Sequence, residues 1–346
     1  MHSDVEQCGA LMQGGSRTFH AASLVFPRCY REPALAVYAF CRIADDAIDD
    51  SGDPAAALVT LRERLDRIYR GCPIAAPADR AFAAVVEQFA IPRALPEALL
   101  EGFQWDAENR RYETLDDLVE YAVRVAGTVG GMMTLLMGRR DPLVLARAVE
   151  LGIAMQLTNI ARDVGEDARN GRLYLPLDWL REAGIDPDRF IAAPEFSAAL
   201  GRVVSRLLDS ARLMYLRAES GIAYLPAGCR PAIAAARVLY AEIGNQVERN
   251  GFDSASRRAV VSSPRKLAQV GSICAAALAP AVELTMPPLA EVQLLIDAVA
   301  AQAPSRHLGA VESESVRWWK FGTRAIRVIE LFDRLERRQQ FKRVNP

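Results

Sequence analysis

The chain contains only 3 histidines and 6 cysteines among 346 residues. With so few histidines an imidazole is not the expected general base, and His20, on the apolar side of its predicted helix, reads as a packing residue. Cys8, Cys29, Cys41, Cys72, Cys229 and Cys274 form no CxxC pair, which argues against a zinc site and against a disulfide framework. Scattered reduced thiols fit a cytoplasmic protein. Charge of one sign is also lacking. The formal net charge is -1, so no global field gathers nucleic acid, and none is expected as a partner. Any anion site must be built from a few local Arg or Lys side chains. The longest apolar candidate, Ile273 to Leu284, stops at about a dozen residues, too short to cross a bilayer. The beginning of the sequence lacks the basic and apolar regions of a secretory signal. No GxGxxG follows a strand pattern, and Gly127-Thr128-Val129-Gly130-Gly131 is not continued by Gly-Lys-Ser/Thr. That glycine run is expected to permit close helix packing.

Period-2 strand patterns are scarce, whereas apolar residues recur at helical spacing in most segments. Helices are predicted near 32–50, 54–70, 79–90, 95–108, 115–137, 141–165, 177–183, 196–219, 229–249 and 264–277, with others at 4–14, 18–26 and 313–340. Short breaker-rich loops between them suit one packed all-α domain over residues 1–346. Pro280 to Leu308 reads as the least regular stretch.

Two acidic arrays stand out. In Arg42-Ile43-Ala44-Asp45-Asp46-Ala47-Ile48-Asp49-Asp50, Asp45 and Asp49 are i,i+4 and share one helix face. Like charges at that spacing repel, so a cation should compensate them, and Arg42 does so only in part. More than a hundred residues later, Gln156, Asn159, Asp163 and Asp167 form a polar stripe on a helix whose other side is Ile153, Leu157, Ile160 and Val164. Such a stripe should line a cavity. A hard divalent ion prefers carboxylate oxygens and completes its shell with water and substrate phosphates. One such array alone fits a solvated helix face equally well. Two of them, each beside an arginine, point to a magnesium clamp for a diphosphate.

These residues resemble the squalene/phytoene synthase family. The likeness lies in Arg42-x-x-Asp45-Asp46-x-x-Asp49, in Gln156-x-x-Asn159-x-x-Arg162-Asp163-x-x-x-Asp167, and in Gly171-Arg172-Leu173-Tyr174-Leu175-Pro176. Tyr121-x-x-x-Val125-Ala126-Gly127-Thr128-Val129-Gly130 and the opening Ser16-Arg17-Thr18-Phe19 are similar to it as well. The resemblance runs from about Ser16 to Leu267, and Arg257-Arg258-Ala259 with Arg265-Lys266-Leu267 is nearest to bacterial members that make phytoene.

The resemblance implies an isoprenoid-synthase fold, helices around a central cavity, and dependence on Mg²⁺ or Mn²⁺ without a nicotinamide. It makes Asp45, Asp49, Asn159, Asp163 and Asp167 metal ligands. It assigns the substrate diphosphate to Ser16, Thr18, Arg42, Gln156, Asn159, Arg162 and Arg258. It gives catalytic roles to Arg42, Tyr121, Arg162 and Tyr240, the two tyrosines facing the reacting centre. Val123 stands where many relatives carry a second aromatic. The implied reaction is head-to-head condensation of two geranylgeranyl diphosphates, through a cyclopropylcarbinyl (prephytoene) diphosphate, to phytoene. A squalene-type reaction on farnesyl diphosphate is the alternative. At single positions two readings stay open. Ser16 also fits a helix N-cap. Tyr121 and Tyr240 also fit ordinary core tyrosines. Arg257 or Arg258 also fits a surface pair with Asp253.

Small residues Ala22 and Ser23, with the medium-sized Leu35, suggest a tunnel left open for a C20 chain. They fit tight helix packing too. From Arg317 to Pro346 there are nine Lys or Arg against three Asp or Glu, interleaved with Trp318, Trp319 and Phe321. That helix is expected either to pack on the domain or to touch a membrane peripherally. A lipid-soluble product also implies handover to other enzymes of carotenoid formation.

Overall fold

A computed structural model describes Asp4, Gln7, Cys8 and residues 26–49 and 51–302, with Asp49 described through its backbone alone. The expected helices at 18–26 and 313–340, the Ser16–Thr18 signature and the pair Ala22 and Ser23 lie outside the described residues. Among the described residues there are helices and loops and no strand, as the periodicity predicted.

The helices begin where their caps dictate. Asp53 accepts from Ala56 N ahead of α2 (Pro54–Tyr69), which follows α1 (Arg28–Asp49). Pro54 at the first helical position costs nothing there, because its missing N–H would have had no partner. Helices α3 (Pro77–Phe89) and α4 (Ala94–Ala107) come next. A Thr114–Asp117 capping box opens α5 (Leu115–Ala122). The sequence predicted one helix over 115–137. Instead a π-helical turn at Val123–Gly127 separates α5 from α6 (Thr128–Leu136). Asp141 accepts from Leu143 and Val144 N to start the long α7 (Pro142–Arg169). Short α8 (Leu177–Glu182) and α9 (Pro187–Ala192) lead to α10 (Ala198–Ile222), capped by Ser197, and to α11 (Arg230–Arg249). Helices α12 (Ser263–Ala268) and α13 (Val270–Leu278) precede an irregular segment. The predicted irregularity ends early, because α14 (Gln293–Ala301) follows it.

Helix α7 is the axis of the fold: α6, the π turn, α10 and α11 all pack on it. Among the described residues it alone is long and apolar enough to cross a membrane, but 67% of its apolar window is buried inside the protein. The predicted close packing at the glycine run is real. A Cβ on Gly130 would lie 2.4 Å from Ala148 O, and one on Gly152 would lie 2.5 Å from Ala126 O. The backbones of α6 and of the π turn therefore approach α7 closer than any side chain allows.

Candidate active site

A cavity of about 280 Å³ lies between α1, α6, α7, α10 and α11. Its wall is mostly apolar, with Val37 from α1, Met133 from α6 and Leu151 from α7 as typical members. The polar exceptions on α7 are Arg147, Gln156 and Asn159.

The two aspartate helices run the same way along this cavity. At one end Phe26, just before α1, and Val144, in the first turn of α7, share a packed cluster with Met137 and Leu225. All four line the cavity. Following α7 forward, Arg147, Leu151, Gln156 and Asn159 face the cavity, and Asp163 and Asp167 continue the stripe at i+4 steps. Following α1 forward, Val37, Tyr38 and Cys41 face it, and Asp45 stands one turn beyond Cys41. Both acidic arrays thus emerge at the end opposite Phe26. Burial, helped by the Asp45 carboxylate, pushes the Cys41 thiol up to about 12.

The arginines gather there. The Arg42 Nε donates to Asp46 at 3.0 Å and its Nη1 to Asp45 at 3.2 Å. The Arg162 Nε donates to the adjacent Asp163 at 2.8 Å. The Arg258 Nε meets Asp163 Oδ1 at 2.8 Å, and its Nη1 lies 3.3 Å from Glu166. The surface-pair alternative does not describe Arg258: Asp253 accepts instead from Ser256 N, while Arg257 donates to Asn250 O. Gly165 explains how Arg258 gets there. Its N–H donates to Ser254 O at 2.9 Å, and a Cβ at this position would lie 2.1 Å from Ala255 O. The loop bearing Arg258 can lie on α7 only because residue 165 has no side chain. Its place inside the Arg162–Asp167 motif was visible in the sequence, but its role was not.

Asp167 carries the clearest electrostatic signal. Burial, together with the neighbouring Asp163 and Glu166 carboxylates, pushes its carboxyl up to about 7, and Arg172 and Arg162 offset this only in part. The ionised form of Asp167 is therefore disfavoured chiefly by burial, and a cation at the mouth would favour it. Among the described residues no three acidic, His or Cys side chains form a ready-made metal cluster. The donors are carboxylate and amide oxygens on two facing helices, a set that suits a hard cation bringing phosphate oxygens with it. The residues present fit Mg²⁺ or Mn²⁺ in that sense.

Two tyrosines sit differently from one another. Tyr240 on α11 lines the cavity. Burial raises its hydroxyl above the usual phenol range, and Arg162 and Asp163 act on it in opposite senses, which sets its ring where cavity meets charge. Tyr121 does not line the cavity. Its hydroxyl donates to Asp106 at 2.9 Å, and its ring stacks on Tyr174 at 5.3 Å and tilts against Tyr112 at 5.1 Å. The π turn beyond α5 presents Val125 and Ala126 to the cavity. Asp106, which also accepts from Tyr174 at 2.7 Å, was missed, because an acid at the end of a helix looks solvated in sequence. Leu35 is likewise not among the lining residues. Its neighbours Ala34 and Val37 are, since the face of α1 turned inward is one residue out of step with it.

With this geometry in view, the comparisons decide the family. The squalene/phytoene synthase sequence profile matches residues 12–265. The chain belongs to that family. A phytoene synthase of Cereibacter sphaeroides is 49% identical over 319 residues, 88% of this chain and 90% of the relative. One of Rhodobacter capsulatus is 52% identical over 306 residues, 86% and 90% of the two chains. The crystal structure of a dehydrosqualene synthase superposes with a TM-score of 0.71 at 31% identity, covering 79% of this chain and 95% of that one. A squalene synthase of Alicyclobacillus acidocaldarius gives 0.68 at 27% identity, covering 72% and 95%. The fold is the isoprenoid-synthase fold of this family, whose members process prenyl diphosphates.

Proposed function

We propose that this chain condenses two geranylgeranyl diphosphates head to head to phytoene, releasing diphosphate. The observation that carries the reading is the join of an apolar cavity to one acidic, arginine-flanked mouth, in a chain about half identical to bacterial phytoene synthases. The diphosphate would lie at the mouth, held by Arg42, Arg162 and Arg258 with Gln156 and Asn159. Ser16 and Thr18, outside the described residues, would add hydroxyl donors. Asp45, Asp49, Asp163 and Asp167, with Asn159, would hold Mg²⁺ or Mn²⁺. Bound there, the metal supplies charge neutralisation for the departing diphosphate.

The chain's own groups supply the rest. The arginines stabilise the charge that develops on the leaving oxygens. The apolar wall excludes water that would quench an allylic cation. Tyr240, at the border, is placed to face that cation with its ring and its hydroxyl. Tyr121, whose hydroxyl bonds to Asp106 and whose ring stacks on Tyr174, would serve the reacting centre as the family resemblance implies. Contact of residues 317–346 with a membrane, and handover of the product to enzymes of carotenoid formation, belong to the same proposal because the product is lipid-soluble.

The test is incubation of the purified full chain with geranylgeranyl diphosphate and Mg²⁺, followed by product mass and diphosphate release. A C40 hydrocarbon supports the reading. The likeness to dehydrosqualene and squalene synthases favours farnesyl diphosphate as the control. Turnover of that C15 substrate alone would replace the phytoene reading with the squalene-type one.

A further inference from the structure

At the end of the cavity away from the aspartates, a charged network lies beside the packed hydrocarbon of Phe26, Met137, Val144 and Leu225. Arg147 lines the cavity there and is 2% exposed. It lies twelve residues before Asn159 on α7, about 18 Å deeper at the helical rise. Its Nη2 sits 3.1 Å from the fully buried Glu150 and donates to Met286 O at 3.2 Å and Pro287 O at 3.3 Å. Arg217, on α10, donates from Nη2 to the same Glu150 at 2.7 Å and to Pro287 O at 2.6 Å. Just past the end of α10 and three residues beyond the cavity-lining Gly221, the Tyr224 hydroxyl donates to Val282 O at 2.7 Å. Leu284 packs on the cluster that contains Phe26, Met137, Val144 and Leu225.

The backbone carbonyls that accept these bonds all lie on one irregular segment, residues 279–289, between α13 and α14. This strap lies beyond the residues that the family profile matches, whereas Arg147, Glu150 and Arg217 lie inside them. Its outer side chains Val282 and Met286 are 57% and 49% exposed, and it is tied down by these side-chain donors and by Leu284 and Leu289, which pack on the core.

We propose that the Arg147–Glu150–Arg217 network fastens the 279–289 strap across the far end of the cavity and thereby sets the longest prenyl chain the cavity accepts. This rests on the reading that the cavity takes a prenyl tail. A buried guanidinium cannot give up its partners at small cost, so Arg147 stays in place when an apolar tip arrives. Its polar end offers that tip nothing in return. A chain one isoprene unit too long must displace either the guanidinium or the strap. The cavity wall alone, rich in small residues, would not impose so sharp a limit.

The experiment uses the full-length enzyme with Mg²⁺ and C15, C20 and C25 prenyl diphosphates, and reads the ratio of kcat/KM for C25 to that for C20. Limited proteolysis within 279–289 reports separately whether the strap is held. Arg217→Met removes a fastener that does not line the cavity. Tyr224→Phe removes a milder one and leaves every buried charge paired, so it serves should Arg217→Met fail to fold. The expected result is faster strap cleavage and a C25 to C20 ratio raised about tenfold or more, the scale at which a pocket senses a misfit apolar group. A strap cleaved faster with an unchanged ratio overturns the proposal, as does a strap whose cleavage neither variant alters. Turnover of none of the three substrates by the unaltered chain would remove the reading of the cavity and this inference with it. Turnover with an unmoved ratio removes this inference alone.

Discussion

Arg258 and Asp163 are separated by 95 residues, yet the Arg258 Nη2 donates to Asp163 Oδ2 at 3.0 Å while its Nε reaches Oδ1. A two-pronged contact of this kind fixes the plane of the guanidinium. It also leaves the cation poised at the mouth, ready to exchange one carboxylate for a diphosphate oxygen. Replacing Arg258 by Ala is expected to lower kcat/KM for the prenyl diphosphate about tenfold to a hundredfold, as a charged hydrogen bond of about 1.5–3 kcal/mol implies. Most of the loss should appear in KM, with melting unchanged. Steady-state kinetics at saturating Mg²⁺ checks this, and an unaltered KM would remove Arg258 from the diphosphate site.

Gly165→Ala tests how Arg258 is delivered. The new methyl group would lie 2.1 Å from Ala255 O, so the loop must lift and the Gly165 N–H bond to Ser254 O must stretch. A destabilisation of about 1–3 kcal/mol is expected from overpacking alone. Activity should fall at least as far as in Arg258→Ala. The double variant should then be little worse than Gly165→Ala, because the arginine has already lost its place. Additive losses in the double variant would show that the glycine acts on something else.

The acidic mouth predicts an opposition between stability and activity. Asp167→Asn removes a carboxylate whose ionised form burial, Asp163 and Glu166 disfavour, so the apo protein should melt at or slightly above the wild-type temperature, whereas Asp163→Asn gives up its bonds from Arg162 and Arg258 and should melt lower. Turnover should nearly vanish. Thermal melts in EDTA, paired with assays in Mg²⁺, give both readings. Near-normal turnover by either variant, or wild-type activity surviving in EDTA, would end the metal-clamp reading.

Cys41 offers a chemical probe of the same region. Its thiol, pushed up to about 12 by burial and by Asp45, exposes only about one part in ten thousand as thiolate at pH 8. Cys29 and Cys72 are exposed. Iodoacetamide at pH 8 should therefore label Cys29 and Cys72 within minutes and spare Cys41 in the folded protein, as peptide mass spectrometry would show. Because the raised value disfavours the charged form, labelling of Cys41 should increase only as pH climbs toward that value or as the protein unfolds. Prompt labelling at pH 8 would place Cys41 outside the closed wall.

Chain-length preference should respond to residues that face the cavity and ignore those that do not. Ala148 lines the cavity on α7, one residue beyond Arg147, and is half-buried. Ala148→Phe should block the distal units and shift kcat/KM from C20 toward C15 diphosphate by about tenfold or more. Leu35→Phe, on a face of α1 that is not part of the lining, should leave that ratio where it is. The reverse pattern would restore the tunnel expected from the sequence, with Leu35 on its wall.

The sequence by itself determined everything that depends on local spacing. Asp45 with Asp49, and Gln156 with Asn159, Asp163 and Asp167, recur at steps of three and four. That recurrence requires helices carrying acidic stripes, whatever surrounds them. The scarcity of strand patterns and the helical recurrence of apolar residues made the all-α class legible for the same reason. Tertiary structure alone decided where those stripes meet. Phe26 before α1 and Val144 at the start of α7 belong to one packed cluster at one end of the cavity, so both arrays open at the other end. The contact of Gly165 with the Ala255 backbone brings in Arg258 from 95 residues away. The Tyr121 hydroxyl finds its partner in Asp106, 15 residues earlier, and a one-residue phase difference on α1 keeps Leu35 out of the cavity lining. Periodicity tells which residues share a face. Which face turns inward, and what waits there, is set by packing between helices far apart in the chain, and no local pattern carries that information.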